Sequence, residues 1–378
     1  MPLDESIENQ SYFKMKFWDK IKITAADTHC LNDLYVILLR KFGLSKNPAM
    51  PLNRKNCPPC NFNKLKNEYN QSPLSNEPDT FILLRIIGND LPPRHFKGQS
   101  RTNLRFILEH ETELKHCKKR FVVNRIVNPE EENKIIALLD DAKAPYAHIP
   151  FDRDEYVKLA WDDEGIPETY RSCTSGYKKL LSSEKLLIQM RRYRHKINYV
   201  MNNNGARNRA LELGKSQAKW VLPWDGNCFL SEDGWDQIVS AVTSIPETPY
   251  VIVPMARIHD NRTLLDPHFT PDPSDEPQVI FRKDSTLRFN ESYFYGRRPK
   301  VELLWRLGVP GVWNRWEKYP WDLPIPDYAG DAGAYQKAGW VARLSSGMNN
   351  LENNSAKRTR VRNRAVKNLI DSLDKQFA

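Results

Sequence analysis

The chain carries an apolar run at Phe81 to Ile87, broken only by Arg85 and followed at once by Gly88-Asn89-Asp90. Leu104, Ile107, Leu108 and Leu114 then recur at near-helical spacing between Arg101 and Leu114. A short continuous run predicts a strand buried on both faces, and a spaced set predicts a helix with one apolar side. The same alternation continues. Arg120–Ile126 is a second strand. Pro129 with Glu130, Glu131 and Glu132 opens a second helix, its acids at the positive end of the dipole, and Ile135, Ile136, Leu138 and Leu139 form its buried face. Tyr146–Pro150 is a third strand. An insertion over 152–195 is acidic in its first half and basic in its second. Asn204–Leu213 then reads as a helix opened by Gly205, Trp220–Pro223 as a strand, 235–243 as a helix, Tyr250–Pro254 as a strand and Gly339–Leu344 as a closing strand. Such repetition predicts an α/β fold, a mainly parallel sheet flanked by helices. Ligands of such sheets bind beyond the carboxyl ends of the strands. The pattern sets Asn89-Asp90, Asn124-Arg125, Asp152 and Asp225 at those ends.

Residues 46–80 are rich in Asn, Pro, Ser and Lys and read as a linker, preceded by one helix over Cys30–Phe42. The expected division is an N-terminal extension and linker over 1–78, a catalytic domain over 79–347 and a basic C-terminal helix over 348–378. In that helix Lys357, Arg358, Arg360, Arg362, Arg364 and Lys367 accompany an apolar stripe of Val361, Ala365, Leu369 and Leu373. Packing on the parent domain is the expected use of the stripe. A peripheral contact with an anionic membrane is the rival use.

Composition narrows the classes. With 40% hydrophobic residues in 378, the chain can build a sizeable core. A formal net charge of +10 asks for an anionic partner: nucleotide phosphates, nucleic acid or a membrane surface. No recognisable nucleic-acid-binding motif is present, which sets that partner aside. No apolar run approaches the ~18–20 residues that span a bilayer. Met1-Pro2-Leu3-Asp4-Glu5 lacks the basic and apolar regions of a secretory signal, so a cytoplasmic location is expected, and the glycosylation-type matches at Asn9, Asn261, Asn290 and Asn353 then carry little. The six cysteines are scattered and expected to be reduced. Cys57 and Cys60 form a Cys-Pro-Pro-Cys pair without a second such pair to complete a zinc site; His29 and Cys30 are the completion weighed against that reading.

The densest chemistry lies at 202–227. Gly205 allows close backbone approach at a helix start, where the dipole favours an anion. Arg207 and Asn208 add polar contacts. The following strand delivers Asp225-Gly226-Asn227, two oxygen-bearing side chains that a turn can point at one hard cation. Asn203-x-Gly205-Ala206-Arg207-Asn208-x-Ala210, then an apolar strand, then Asp225-x-Asn227 and Trp235, resembles the GT-A glycosyltransferases of the family 2 type. The layout extends over roughly 80–345. The resemblance implies a Rossmann-like GT-A domain, a nucleotide-diphosphate sugar donor, a glycan or other hydroxyl acceptor, Mn²⁺ or Mg²⁺ held by Asp225 and Asn227, and transfer with inversion. Donor contacts are expected from Gly205, Arg207, Asn208 and Asp225 on the resemblance, from Asn89 and Asp152 at their strand ends, and from Asn204 beside the helix start. Downstream, Arg298 and Lys300 stand among aromatics suited to phosphate and sugar, and Trp305, Trp313, Trp316 and Trp321 suit an acceptor-sugar surface or a structural lid. The family's general base lies C-terminal to the metal motif, before a helix. Asp331 fits that place, with Asp327 and Glu302 as rivals.

Three departures stand out. Asn227 replaces the second acid, Asn124-Arg125 replace the acidic cluster after the second strand, and Gly330-Asp331 replace a Glu-Asp pair. Asp152 or Asp154 could supply the missing carboxylate. Two other functions fit the same chain: a nucleotidyltransferase on a similar core, and a non-enzymatic basic nucleic-acid-binding protein.

Overall fold

A computed structural model describes residues 28–53, 57, 59–311, 315–348 and 355–378. Two compact units divide them: a small one holding the described residues up to Pro48 with Pro167–Leu187, and a large one of Ala49–Ile166 with Ile188–Ala378. In the small unit the expected first helix spans Thr28–Lys41. Asp33 Oδ1 accepts from the Ser182 amide at 2.7 Å, and Arg40 pairs with Glu184 at 2.7 Å.

The large unit begins earlier than the composition predicts. Strand β1 (Met50–Asn53) pairs antiparallel with Arg315–Lys318. The helix Phe62–Gln71 is capped by Asn61 and buries Tyr69. The reason is Lys219, a buried ammonium that needs acceptors. Its Nζ donates to Tyr69 Oη and to the Glu77 carbonyl, both at 2.9 Å, and lies 3.0 Å from Asp79. The described residues from Ala49 to Pro78 therefore belong to the large unit. A chain starting at Asp79 should melt several degrees below the full chain and be cut faster by protease, because Lys219 loses two of its partners; an unchanged melting temperature would return this stretch to linker status.

The main sheet uses β2 (Phe81–Ile87), β3 (Cys117–Asn124), β4 (Tyr146–Ile149), β5 (Trp220–Asp225), β6 (Cys228–Phe229), β7 (Tyr250–Arg257) and β8 (Asp275–Arg282). With β9 given to the Arg315–Lys318 pairing, β10 (Tyr335–Lys337) and β11 (Val341–Arg343) complete it. The order is β4-β3-β2-β5-β8-β7-β11-β6, with β10 also on β7. The first three strands and β5 run parallel. Then β8 lies antiparallel between β5 and β7, and β6 is antiparallel to β11. The sheet is mixed, where a mainly parallel one was expected. The difference is β8, which opens on Asp275, Glu276 and Pro277 and so reads as a loop in the sequence.

Alternation along the strands loads both faces. Phe81, Leu83, Trp220 and Leu222 pack with Trp235, Ile238 and Val242 of the helix Glu232–Ser244. Ile82, Leu84 and Val221 pack on the other face with Ala210 and Leu211 of the helix Asn203–Lys215 and with Leu303, Leu304 and Leu307. The first helix stops at His110, short of the Leu114 that the spacing suggests. Glu111 is drawn inward instead, where its fully buried carboxylate meets Arg85 and accepts from the Leu230 amide.

The C-terminal helix spans Ser355–Phe377. Its Ala365, Val366, Ile370 and Leu373 are buried, while Asp374 holds Lys196 at 2.6 Å and accepts from Tyr156 Oη at 2.7 Å. Of the expected stripe, Ala365 and Leu373 are buried, while Val361 and Leu369 are half-buried. Among the described residues no helix is long and apolar enough to cross a membrane.

Candidate functional site

Strands leading outward on one side of β2 and inward again at β5 leave a crevice between their carboxyl ends, the usual ligand position in α/β sheets. A cavity of ≈ 230 Å³ lies there. Gly88, Asn89 and Asp90 after β2, Asn124 at the end of β3, and Asp225, Gly226 and Asn227 at the end of β5 all line it. Six cations also line it: Arg94, Arg207, Arg257, Lys300, Arg343 and Arg362. Arg257 and Arg343 end the neighbouring strands β7 and β11 in register, and Arg362 reaches in from the C-terminal helix.

Asp225 is the hub. Its Oδ1 accepts from Arg207 Nη2 at 2.6 Å, and its Oδ2 accepts from Gln278 Nε2 at 3.0 Å with Lys300 Nζ 3.5 Å away. Burial alone would raise this carboxyl's pKa, but Lys300, then Arg207 and the Gln278 hydrogen bond outweigh it and hold the group far below the usual carboxylate range. Lys300 also stands 3.4 Å from a Glu276 carboxylate oxygen.

The asparagines of the sequence motif brace this arrangement. Asn204 Nδ2 donates to the carbonyls of Asn290 and Pro299, both at 2.7 Å, and its Oδ1 accepts from Arg207 at 2.9 Å. Asn208 donates to the Phe289 carbonyl at 2.9 Å and accepts from the Phe289 amide at 3.0 Å. The segment 289–300, which ends in Lys300, is therefore tied to the motif helix. Asn89 and Asn124 are likewise spent on backbone: Asn89 donates to the Arg125 carbonyl and accepts from the Val127 amide, both at 2.8 Å, and Asn124 donates to the Met201 carbonyl at 3.0 Å. These expected donor contacts fit structural ties better than ligand binding. Gly205 lies inside the first turn of its helix, where an added Cβ would stand 2.1 Å from Asn202 Oδ1. Its smallness serves packing, and with Asn204 it faces a separate recess beside Tyr199 and His195.

No protein-family model matches this chain, and no curated protein matches it either.

Several expected site residues lie elsewhere. Asp152 caps the helix Arg153–Val157, accepting from the amides of Asp154 and Glu155. Arg298 stacks on the Trp316 ring at 4.6 Å, and burial pushes its pKa down to about 10, helped by Arg297. Trp305, Trp316 and Trp321 are buried, which makes them core rather than a sugar-facing surface; Trp313 lies outside the described residues. Glu302 is fully buried against Arg306 at 2.8 Å and accepts from the Asn290 amide. Asp327 is exposed and away from the cavity wall. Asp331 accepts from Tyr250 Oη at 2.6 Å. Tyr250 opens β7 and Arg257 ends it, so Asp331 is roughly 20 Å from the cavity along the strand. None of the three lines this cavity. The carboxylates that line it besides Asp225 are Asp90 and Glu276. Burial raises the pKa of Asp90, though Ser100 donates to it twice, whereas the Glu276 side chain is 39% exposed.

The strand-end rule that singled out Asp225 would also have found Arg257 and Arg343, had the ends of the last strands been read for charge. Glu276 was hidden with β8, and Arg362 carries no local signal. Neither Cys57 nor Cys60 is part of this cavity; both are free and half-buried, and burial raises the Cys60 pKa, with Cys57 and Asp331 adding to it. The side chains of His29 and Cys30 lie outside the described residues.

The fit to a divalent ion is poor. Among the described residues no three His, Cys, Asp or Glu side chains converge as a metal site. Both Asp225 oxygens already accept from cationic or amide groups.

Proposed function

We propose that this protein is a GT-A-type glycosyltransferase that moves a sugar from a nucleotide-diphosphate donor to a hydroxyl acceptor. The observation that carries the reading is the cationic cavity at the switch point between β2 and β5, with the Ala206-Arg207-Asn208 helix and Asp225 meeting in it. A sequence motif that resembles a glycosyltransferase family supplies the residues that brace that cavity, so motif and geometry point to the same place.

In this reading the diphosphate lies against Lys300, Arg343 and Arg362, and the sugar's anomeric carbon faces Glu276. The acceptor oxygen forms a bond to that carbon while the bond to the diphosphate oxygen breaks. The electron pair leaves on the diphosphate, and the acceptor proton passes to Glu276, giving inversion with one base. Cations already in place stabilise the charge that develops on the leaving group. A nucleotidyltransferase would use the same cations but release pyrophosphate.

A panel of UDP-, GDP-, ADP- and CDP-sugars tests the reading by thermal shift and by product analysis. At about 100 times its dissociation constant a true donor should stabilise by about 2.7 kcal/mol. Release of a nucleoside diphosphate supports a transferase. Release of pyrophosphate, or no stabilisation by any donor, overturns it.

A further inference from the structure

On the basis of that reading, we infer that the diphosphate is bound and its leaving charge neutralised by the chain's own cations, with no divalent ion required. The cations belong to distant parts of the sequence and converge on one cavity. Arg257 ends β7, Lys300 precedes the helix Val301–Leu307, Arg343 ends β11, and Arg362 comes from the C-terminal helix.

Six cations share the lining with three carboxylates, Asp90, Asp225 and Glu276. Arg257 pairs with Asp275 at 2.5 Å, and Arg343 is 3.6 Å from the same carboxylate. Lys300 and Arg207 share Asp225. A nucleotide-sugar diphosphate, a dianion at neutral pH, carries the sign of charge that such a lining attracts.

Unused donors point the same way. The Nε–H groups of Arg207 and Arg362 are buried and have no acceptor among the described residues. The Arg207 residue is only 4% exposed, and both line the cavity. A buried guanidinium donor without an acceptor is costly, and phosphate oxygens accept from such groups in paired geometry. Among the described residues Arg362 otherwise makes long contacts, to the Gly296 carbonyl at 3.5 Å and to the Tyr295 ring at 5.7 Å. Asp225 then has a role other than metal ligand: it holds Lys300 and Arg207 at the cavity floor. Asn227, where the resemblance expects a second acid, lines the cavity without adding a carboxylate.

Titration calorimetry of the full-length protein with UDP, GDP, ADP, CDP and inorganic pyrophosphate, in EDTA and again with Mn²⁺, tests this. At least one nucleoside diphosphate should bind in EDTA, more tightly than pyrophosphate, with affinity changed less than threefold by Mn²⁺. Lys300→Met should weaken that binding about 10- to 100-fold. Because Lys300 also pairs with Asp225, Arg362→Met serves as a second variant on a separate helix, with about tenfold weaker binding expected and the circular dichroism unchanged. Binding that appears only with Mn²⁺ overturns the inference and leaves the transferase reading standing. Binding of pyrophosphate but of no nucleoside diphosphate, or of neither under either condition, overturns both.

Discussion

Asp225→Ala should lower the unfolding free energy by about 3 kcal/mol at pH 7. Removing one partner of a buried ion pair typically costs 3–5 kcal/mol, because the other charge is left unpaired. Here two charges would be left, on Arg207 and Lys300, whose side chains are 5% and 4% exposed. The carboxylate itself is 29% exposed, which places the loss at the lower end of that range. Asp225→Asn should lose less, since an amide oxygen can still accept from Arg207. Acid provides a second check. The folded pKa lies below the 3.8 of a free carboxyl because Lys300 and Arg207 outweigh the opposing effect of burial. The stabilisation is then complete above about pH 4 and is lost as pH falls through the folded value. Denaturant melts should show the gap between wild type and Asp225→Ala at full size at pH 7 and closing below pH 4. A variant as stable as wild type at pH 7 would mean that Asp225 is not the anchor of these cations, and the metal-ligand reading would regain its ground.

The chain is legible wherever local pattern and tertiary demand agree. Phe81–Ile87, Tyr146–Ile149 and the Pro129 helix stand where spacing and capping place them: the first is an apolar run interrupted only by Arg85, and Asn128 caps a Pro-initiated helix in the ordinary way. Helix ends were less legible. Glu111 leaves the helix pattern because a buried Arg85, far off in the chain, needs its charge. Strand β8 was missed because Asp275, Glu276 and Pro277 are turn-forming residues that here begin an inner antiparallel strand.

The site divides in the same way. Asp225 and Arg207 could be found because strand-end and helix-start positions are visible in sequence, and Lys300 because it stands in a basic, aromatic segment. Their roles could not, since Asn204 and Asn208 look like ligand contacts until their partners at 289–299 are known. The resemblance places the general base C-terminal to the metal motif, before a helix. Asp331 has the right sequence surroundings but sits at the amino-terminal end of β7, and only the sheet's direction reveals that.

The largest effect on rate is expected at Glu276. Of the cavity carboxylates it alone combines exposure to an incoming acceptor with a place beside Lys300, while Asp225 is locked between cations and the second oxygen of Asp90 is buried without a partner. Losing a general base costs about 10²–10⁴ in rate. Glu276→Gln keeps the size and the contact with Lys300 but loses basicity, so transfer should fall by that factor while nucleoside diphosphate affinity stays within about threefold of wild type. Asp331→Asn, at the far end of the sheet, should leave both nearly unchanged. Single-turnover transfer and calorimetry on the same preparations separate chemistry from binding. If Glu276→Gln transfers normally and Asp90→Asn does not, the base is Asp90, whose pKa is raised by burial and therefore nearer the range useful for proton transfer. If Asp331→Asn alone loses transfer, the reaction takes place at the opposite end of β7 and the cationic cavity is not the active site.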